Sequence, residues 1–163
     1  VLGLSPAALG LYFGFIAVGY MLGNFLSGRY ASRVGLDRMM AIGGTVTVSG
    51  LLLGLALFLA GLVTPMSFFG SILFVGVGNG LVLPSANAGM VSVRPHLAGS
   101  ASGLGGALTI GGGAVLAAAT GAMLGPGTGA WPLMLMMLAS AAGALLATLY
   151  VVRVARLRGP LGA

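Results

Sequence analysis

Residues 66–93 read MSFFGSILFVGVGNGLVLPSANAGMVSV, and this stretch decides the fold because it carries no charged residue from end to end. A helix of about 20 apolar residues crosses a ~30 Å hydrocarbon core, and Met66–Val93 exceeds that length. Working outward, charge, proline and glycine divide the rest of the chain into four similar runs. They extend from about Ala7 to Gly28, Met40 to Gly61, Ala98 to Leu124 and Trp131 to Val152. The connections are short, as in Val63-Thr64-Pro65 and Gly125-Pro126-Gly127-Thr128-Gly129. Pro65 and Pro126 are expected to stop one helix each, and Pro132 suits the first turn of the next.

Composition gives the same answer. Of 163 residues, 58% are hydrophobic and only 5% charged. Soluble domains carry roughly 25% charged residues because a water-facing surface needs them, so most of this surface has to face lipid. The 31 glycines follow no collagen-like period, and in an apolar chain they read as close helix–helix packing. Cysteine is absent, which removes disulfides, thiolate metal sites and thiol nucleophiles. The fold class expected is therefore all-α, a polytopic membrane bundle of five transmembrane helices.

The net charge of +6 does not make a nucleic-acid surface, because the arginines form no basic stripe. Arg29, Arg33 and Arg38 lie with Asp37 between the first two runs. Arg94 and His96 lie between the third and fourth, and Arg153, Arg156 and Arg158 follow the fifth. All seven arginines thus fall on one side of an alternating five-span path. The positive-inside rule makes that side cytoplasmic, with the N-terminal end outside and the C-terminus inside. Trp131, Tyr30 and Tyr150 stand at span boundaries, where amphipathic rings anchor.

Inside the spans the informative residues are few. Asn79 and Asn87 lie ~80° apart around an ideal helix, near enough to share a broad face. An amide facing lipid is left unpaired, so both are expected to face protein or a wet cavity, as interhelical contacts or as substrate contacts. Pro84, between them, frees a backbone carbonyl and is expected to kink the helix. Gly76-x-Gly78-x-Gly80 lacks the strand and acidic partner of a nucleotide loop, so helix packing is its better account. The fourth run carries a small-residue stripe, Gly99, Gly103, Gly106, Gly113, Ala117 and Gly121, suited to close contact with another helix. Met134, Met136 and Met137 read as core or lipid-facing filler rather than a soft metal site. No carboxylate, lysine, arginine or histidine lies within a span, and no triad, acid pair or metal cluster occurs. Catalysis by this chain and a bound cofactor are therefore not expected.

The loop Gly28-Arg29-Tyr30-Ala31-Ser32-Arg33-Val34-Gly35-Leu36-Asp37-Arg38 resembles the Gly-x-x-x-Asp-Arg-x-Gly-Arg-Arg signature of the major facilitator superfamily. Gly28, Arg33, Gly35 and Arg38 carry the match. Ser32 stands where the family has Asp, and Leu36-Asp37 interrupts the basic pair. Physically, Gly28 would allow two helices to approach, Gly35 would permit a tight turn, and Arg33 could cap helix carbonyls. In that superfamily the signature is strong after the second helix and weaker after the eighth, so the lost Asp implies the second half. Residues 78–104, from Gly78-Asn79-Gly80 through Pro84 and Asn87 to Gly103-Leu104, resemble the tenth helix, loop and eleventh helix of bicyclomycin-resistance (Bcr/CflA) drug:proton antiporters.

The resemblance spans nearly all of residues 1–163 and implies helices eight to twelve of a transporter, one six-helix half short of its first helix. It implies a multi-pass protein of a bacterial inner membrane that partners the N-terminal half of the same transporter. The implied mechanism is rocker-switch efflux of small amphipathic substrates against protons, with Asn79, Leu83, Pro84 and Asn87 as candidates for the substrate cavity. It also implies that the Gly99, Gly103, Gly106, Gly113 and Gly121 stripe meets the opposite half. The proton-carrying group would then lie outside this chain, because a coupled carrier needs a titratable group on its path. Two other readings remain open: a carrier of a metabolite or sugar with the same fold, and a structural membrane subunit that transports nothing.

Overall fold

In the computed structural model, which describes residues 5–62, 64–93, 95–125 and 129–158, every regular element is helical. The order is α1 (Pro6–Val34), α2 (Leu36–Leu59), α3 (Pro65–Val93), a single 3-10 turn at Pro95–Leu97, α4 (Ala98–Met123) and α5 (Trp131–Arg158). Each of the five α-helices is long and apolar enough to cross a membrane. The chain is an all-helical, multi-pass membrane protein.

Helix ends follow local chemistry. Ser5 accepts the Ala8 N–H at 3.2 Å ahead of Pro6, which needs no donor. At α3 the Thr64 hydroxyl accepts the Ser67 N–H at 3.1 Å, and the Ser67 hydroxyl accepts the Thr64 N–H at 3.0 Å. This reciprocal pair is a capping box closed by Ser rather than Glu. Pro132 falls in the first turn of α5 as expected. Pro126, Thr128, Val63 and Arg94 lie outside the described residues.

Two expected boundaries move. The loop foreseen from Gly28 to Arg38 is almost entirely helix: α1 continues to Val34 and α2 begins at Leu36. Nothing in Arg29–Val34 breaks a helix, and the chain turns at Gly35 alone, where φ is 91°. There the Gly35 N–H closes on the Ala31 carbonyl at 2.9 Å, and its own carbonyl accepts the Met39 N–H at 3.1 Å. Likewise α5 runs beyond Val152 to Arg158, since arginine and leucine sustain a helix and cations suit its C-terminal end.

Packing centres on α3, which lies between α1 and α2 along most of its length, while α5 lies on α2. Glycines set these contacts. Gly19 and Gly23 of α1 face Gly76 and Gly80 of α3, and the Cα of Gly23 lies 2.8 Å from where a Cβ on Gly80 would stand. The backbones touch, as in small-xxx-small membrane helix pairs. On the other flank, Gly43, Gly50 and Gly54 of α2 admit Gly78, Phe74 and Ser71 of α3. Gly28, by contrast, has nothing within 4 Å of its Cβ position; close approach to α3 is made one and two turns earlier.

An aromatic cluster ties four helices together at one end. Tyr12 stacks on Phe69 at 4.7 Å, Phe68 meets Phe69 edge-on at 5.2 Å, and Trp131 meets Phe58 edge-on at 6.0 Å. Phe58, Phe68, Phe69, Ile72 and Met134 form the buried core there. α4 stands apart from this packing, and Thr120 is its one buried residue.

Candidate functional site

A cavity of about 360 Å³, open to the outside of the bundle, lies between α2, α3, α4 and α5, and Asn79 is itself exposed in it. That volume lies within the ~300–1,000 Å³ range of small-molecule sites. Its walls are mainly Leu, Val, Ala and Met, with four polar side chains: Thr47 on α2, Asn79 on α3, Thr120 on α4 and Ser140 on α5. Asn79 is the central residue of α3, and Thr47 stands at the middle of α2, so the cavity sits at half the depth of the helices. Thr120 and Ser140 lie nearer the end marked by Trp131.

The chemistry of the lining follows from where each proton goes. Thr47 donates to the Gly43 carbonyl at 3.1 Å, Thr120 to Leu116 at 2.7 Å and Ser140 to Met136 at 2.7 Å. Each hydroxyl is committed to the carbonyl one turn back in its own helix and keeps its oxygen lone pairs to offer as acceptors. Asn79 has no hydrogen-bond partner among the described residues, so its amide supplies two donors and an acceptor to the space. The cavity is thus uncharged, apolar over most of its wall, and carries one unengaged amide.

Of the four substrate-cavity candidates, Asn79 lines this cavity and Leu83, Pro84 and Asn87 do not. Leu83 and Asn87 are exposed outside it, and Pro84 is half-buried away from it. Val75, Asn79 and Val82 share one face, and the ~80° between Asn79 and Asn87 carries the second amide off that face. Pro84 does not interrupt α3, which continues to Val93.

A polar contact the sequence reading missed lies at the α1–α3 crossing. Ser27 and Ser85 are both buried, with hydroxyl oxygens 3.3 Å apart. Ser85 donates to the Leu81 carbonyl at 2.9 Å, so Ser27 donates to Ser85. The signal that could have found it is position: each serine lies on a glycine-marked face of its helix, four residues beyond Gly23 and seven beyond Gly78. Thr120 and Ser140 were legible as isolated hydroxyls within apolar runs, whereas Thr47 alternates with Thr45 and Ser49.

The remaining candidates separate cleanly. Gly35 is the turn between α1 and α2; Arg33 is exposed in the last turn of α1, and Arg38 is exposed in the first turn of α2. Along α4, the Cβ positions of Gly99, Gly103, Gly106, Gly113 and Gly121 meet nothing within 4 Å. Met134 is buried in the aromatic core, whereas Met136 and Met137 line the cavity. Among the described residues no three His, Cys, Asp or Glu side chains gather to hold a metal. Comparisons with protein-family models, curated proteins and solved structures give no match to this chain.

Proposed function

We propose that this chain is the C-terminal part of a secondary transporter of the major facilitator type, and that its α2–α5 cavity takes small amphipathic, neutral or cationic molecules. The observation that carries the reading is the cavity itself: mid-depth, uncharged, mostly apolar, with one free amide and three hydroxyl acceptors. Transporter sites lie near the bilayer midplane, and an apolar wall with a few polar groups suits amphipathic ligands. Sugars and phosphates need more hydrogen-bonding or cationic groups than these helices offer there.

The bare glycine face of α4 supports a second bundle as partner, since small residues at such spacing allow another helix to approach closely. The arginine-bearing end is the cytoplasmic one by the positive-inside rule. Arg33 and Gly35 at that end belong to a turn that biases access states rather than to the substrate site, which lies at mid-depth. With no carboxylate or histidine in the middle of any helix, the proton-coupling group belongs to the partner half.

Proteoliposomes provide the test. The chain alone is expected to give no gradient-driven flux of a lipophilic cation such as tetraphenylphosphonium. Joined to its N-terminal half it is expected to give proton-gradient-dependent flux that Asn79→Leu reduces. Flux by the chain alone, or flux by the joined halves that is indifferent to Asn79 and Ser140 substitutions, contradicts the proposal.

A further inference from the structure

Opposite the aromatic cluster, a second cleft of about 370 Å³ opens between the start of α2 and the end of α5. Arg38 and Asp37 of α2 and Arg153 of α5 stand around it, with Ala41, Leu149 and Val152 as an apolar wall. Both arginines are exposed, and among the described residues neither forms an ion pair or hydrogen bond, with Asp37 or with any other group. The cleft lies where the apolar spans of α2 and α5 give way to charged residues.

We propose that this cleft binds the headgroup of an anionic phospholipid, whose phosphate is held between Arg38 and Arg153. Guanidinium groups are planar forks that match phosphate oxygens, and two of them reach the cleft from two different helices. Its place at the charged ends of two apolar helices suits the level at which basic pockets between membrane helices take anionic headgroups. The apolar wall running inward from the arginines gives the acyl chains a surface that a free phosphate ion would not use. Asp37 places one negative charge beside two positive ones, so the cleft keeps a net positive charge that attracts an anionic headgroup, more weakly than the two arginines would alone. Lipid held there bridges α2 and α5 at the end that lacks aromatic contacts between them. The inference needs only membrane insertion and stands apart from the transport reading.

Native mass spectrometry of the delipidated chain, titrated with phosphatidylglycerol or phosphatidylcholine, tests it. A basic side chain near an anionic headgroup contributes about fivefold in affinity, so two give roughly 30-fold preference for phosphatidylglycerol. The double variant R38Q/R153Q is expected to abolish the preference, and D37N to tighten phosphatidylglycerol binding severalfold. These positions are exposed, and unchanged helicity by circular dichroism confirms that the variants fold. R29Q/R33Q, two exposed α1 residues that do not line the cleft, is expected to change binding less than about twofold. Equal binding of the two lipids overturns the proposal, as does equal loss in R29Q/R33Q, which would mean unspecific charge attraction. Displacement of phosphatidylglycerol by millimolar inorganic phosphate would identify a free-anion site instead and overturn it too.

Discussion

Adding one methyl group at Gly80 should loosen the bundle at its tightest crossing. A Cβ there would stand 2.5 Å from the Tyr20 carbonyl oxygen, 2.7 Å from the Asn24 nitrogen and 2.8 Å from the Gly23 Cα. All three are backbone atoms of α1, so no side chain can swing aside. Ordinary contact begins at 3.4 Å, and α1 must therefore retreat by about 1 Å, a gap that forfeits up to half of each dispersion contact along the pair. Overpacking of this kind costs ~1–3 kcal/mol. Gly→Ala within a helix also gains up to ~1 kcal/mol of propensity, which a matched control removes. Gly113 lies in α4 with nothing within 4 Å of its Cβ position, so Gly113→Ala takes the gain without the clash. Unfolding in detergent micelles by added dodecyl sulfate, followed by Trp131 fluorescence and helicity, measures both. Gly80→Ala is expected to be less stable than Gly113→Ala by ~1–3 kcal/mol. A difference under ~0.5 kcal/mol would refute the backbone-contact geometry.

The Ser27–Ser85 bond should contribute about 0.6 kcal/mol, and at most ~1.7; a double-mutant cycle with Ser27→Ala and Ser85→Ala reads this coupling, and a coupling of zero removes the contact. Asn79→Leu should leave stability within ~0.5 kcal/mol, because the side chain is exposed and its amide has no hydrogen-bond partner among the described residues, and Asn87→Leu should do the same; a loss above ~1.5 kcal/mol in either would make it a structural residue. The chain has no cysteine, so Arg33→Cys and Thr64→Cys each supply a unique thiol. In intact cells an impermeant reagent is expected to label the Thr64 position and spare the Arg33 position, and the reverse pattern would invert the topology.

Much of the architecture was legible because membrane spans are written in composition. Lipid tolerates no unpaired backbone, so an uncharged run such as residues 66–93 has little choice but helix. The Gly76-x-Gly78-x-Gly80 pattern was also readable as packing, and the structure puts Gly76 and Gly80 against α1 and Gly78 against α2. Boundaries were less legible. Gly28 resembled a stop, yet a glycine halts a helix only where the backbone takes a positive φ, which happens at Gly35. The cavity was the least legible feature, since it depends on where four helices stand apart. Asn79 announced itself as a polar residue in an apolar span, but so did Asn87, and only the packing of α3 separates them. Thr47, Thr120 and Ser140 gave weaker signals, because a hydroxyl can satisfy itself on its own helix and so sits in lipid or protein alike.

Equilibrium binding of a lipophilic cation to the purified chain, compared with Asn79→Leu, tests the central claim most directly. The cavity is formed within this chain, so saturable binding is expected without any partner bundle. Loss of the amide is expected to weaken that binding about fivefold, the worth of one ~1 kcal/mol hydrogen bond, with Asn87→Leu unchanged. Binding that never saturates, or that is the same in wild type and Asn79→Leu, would contradict the assignment of the α2–α5 cavity as the substrate site.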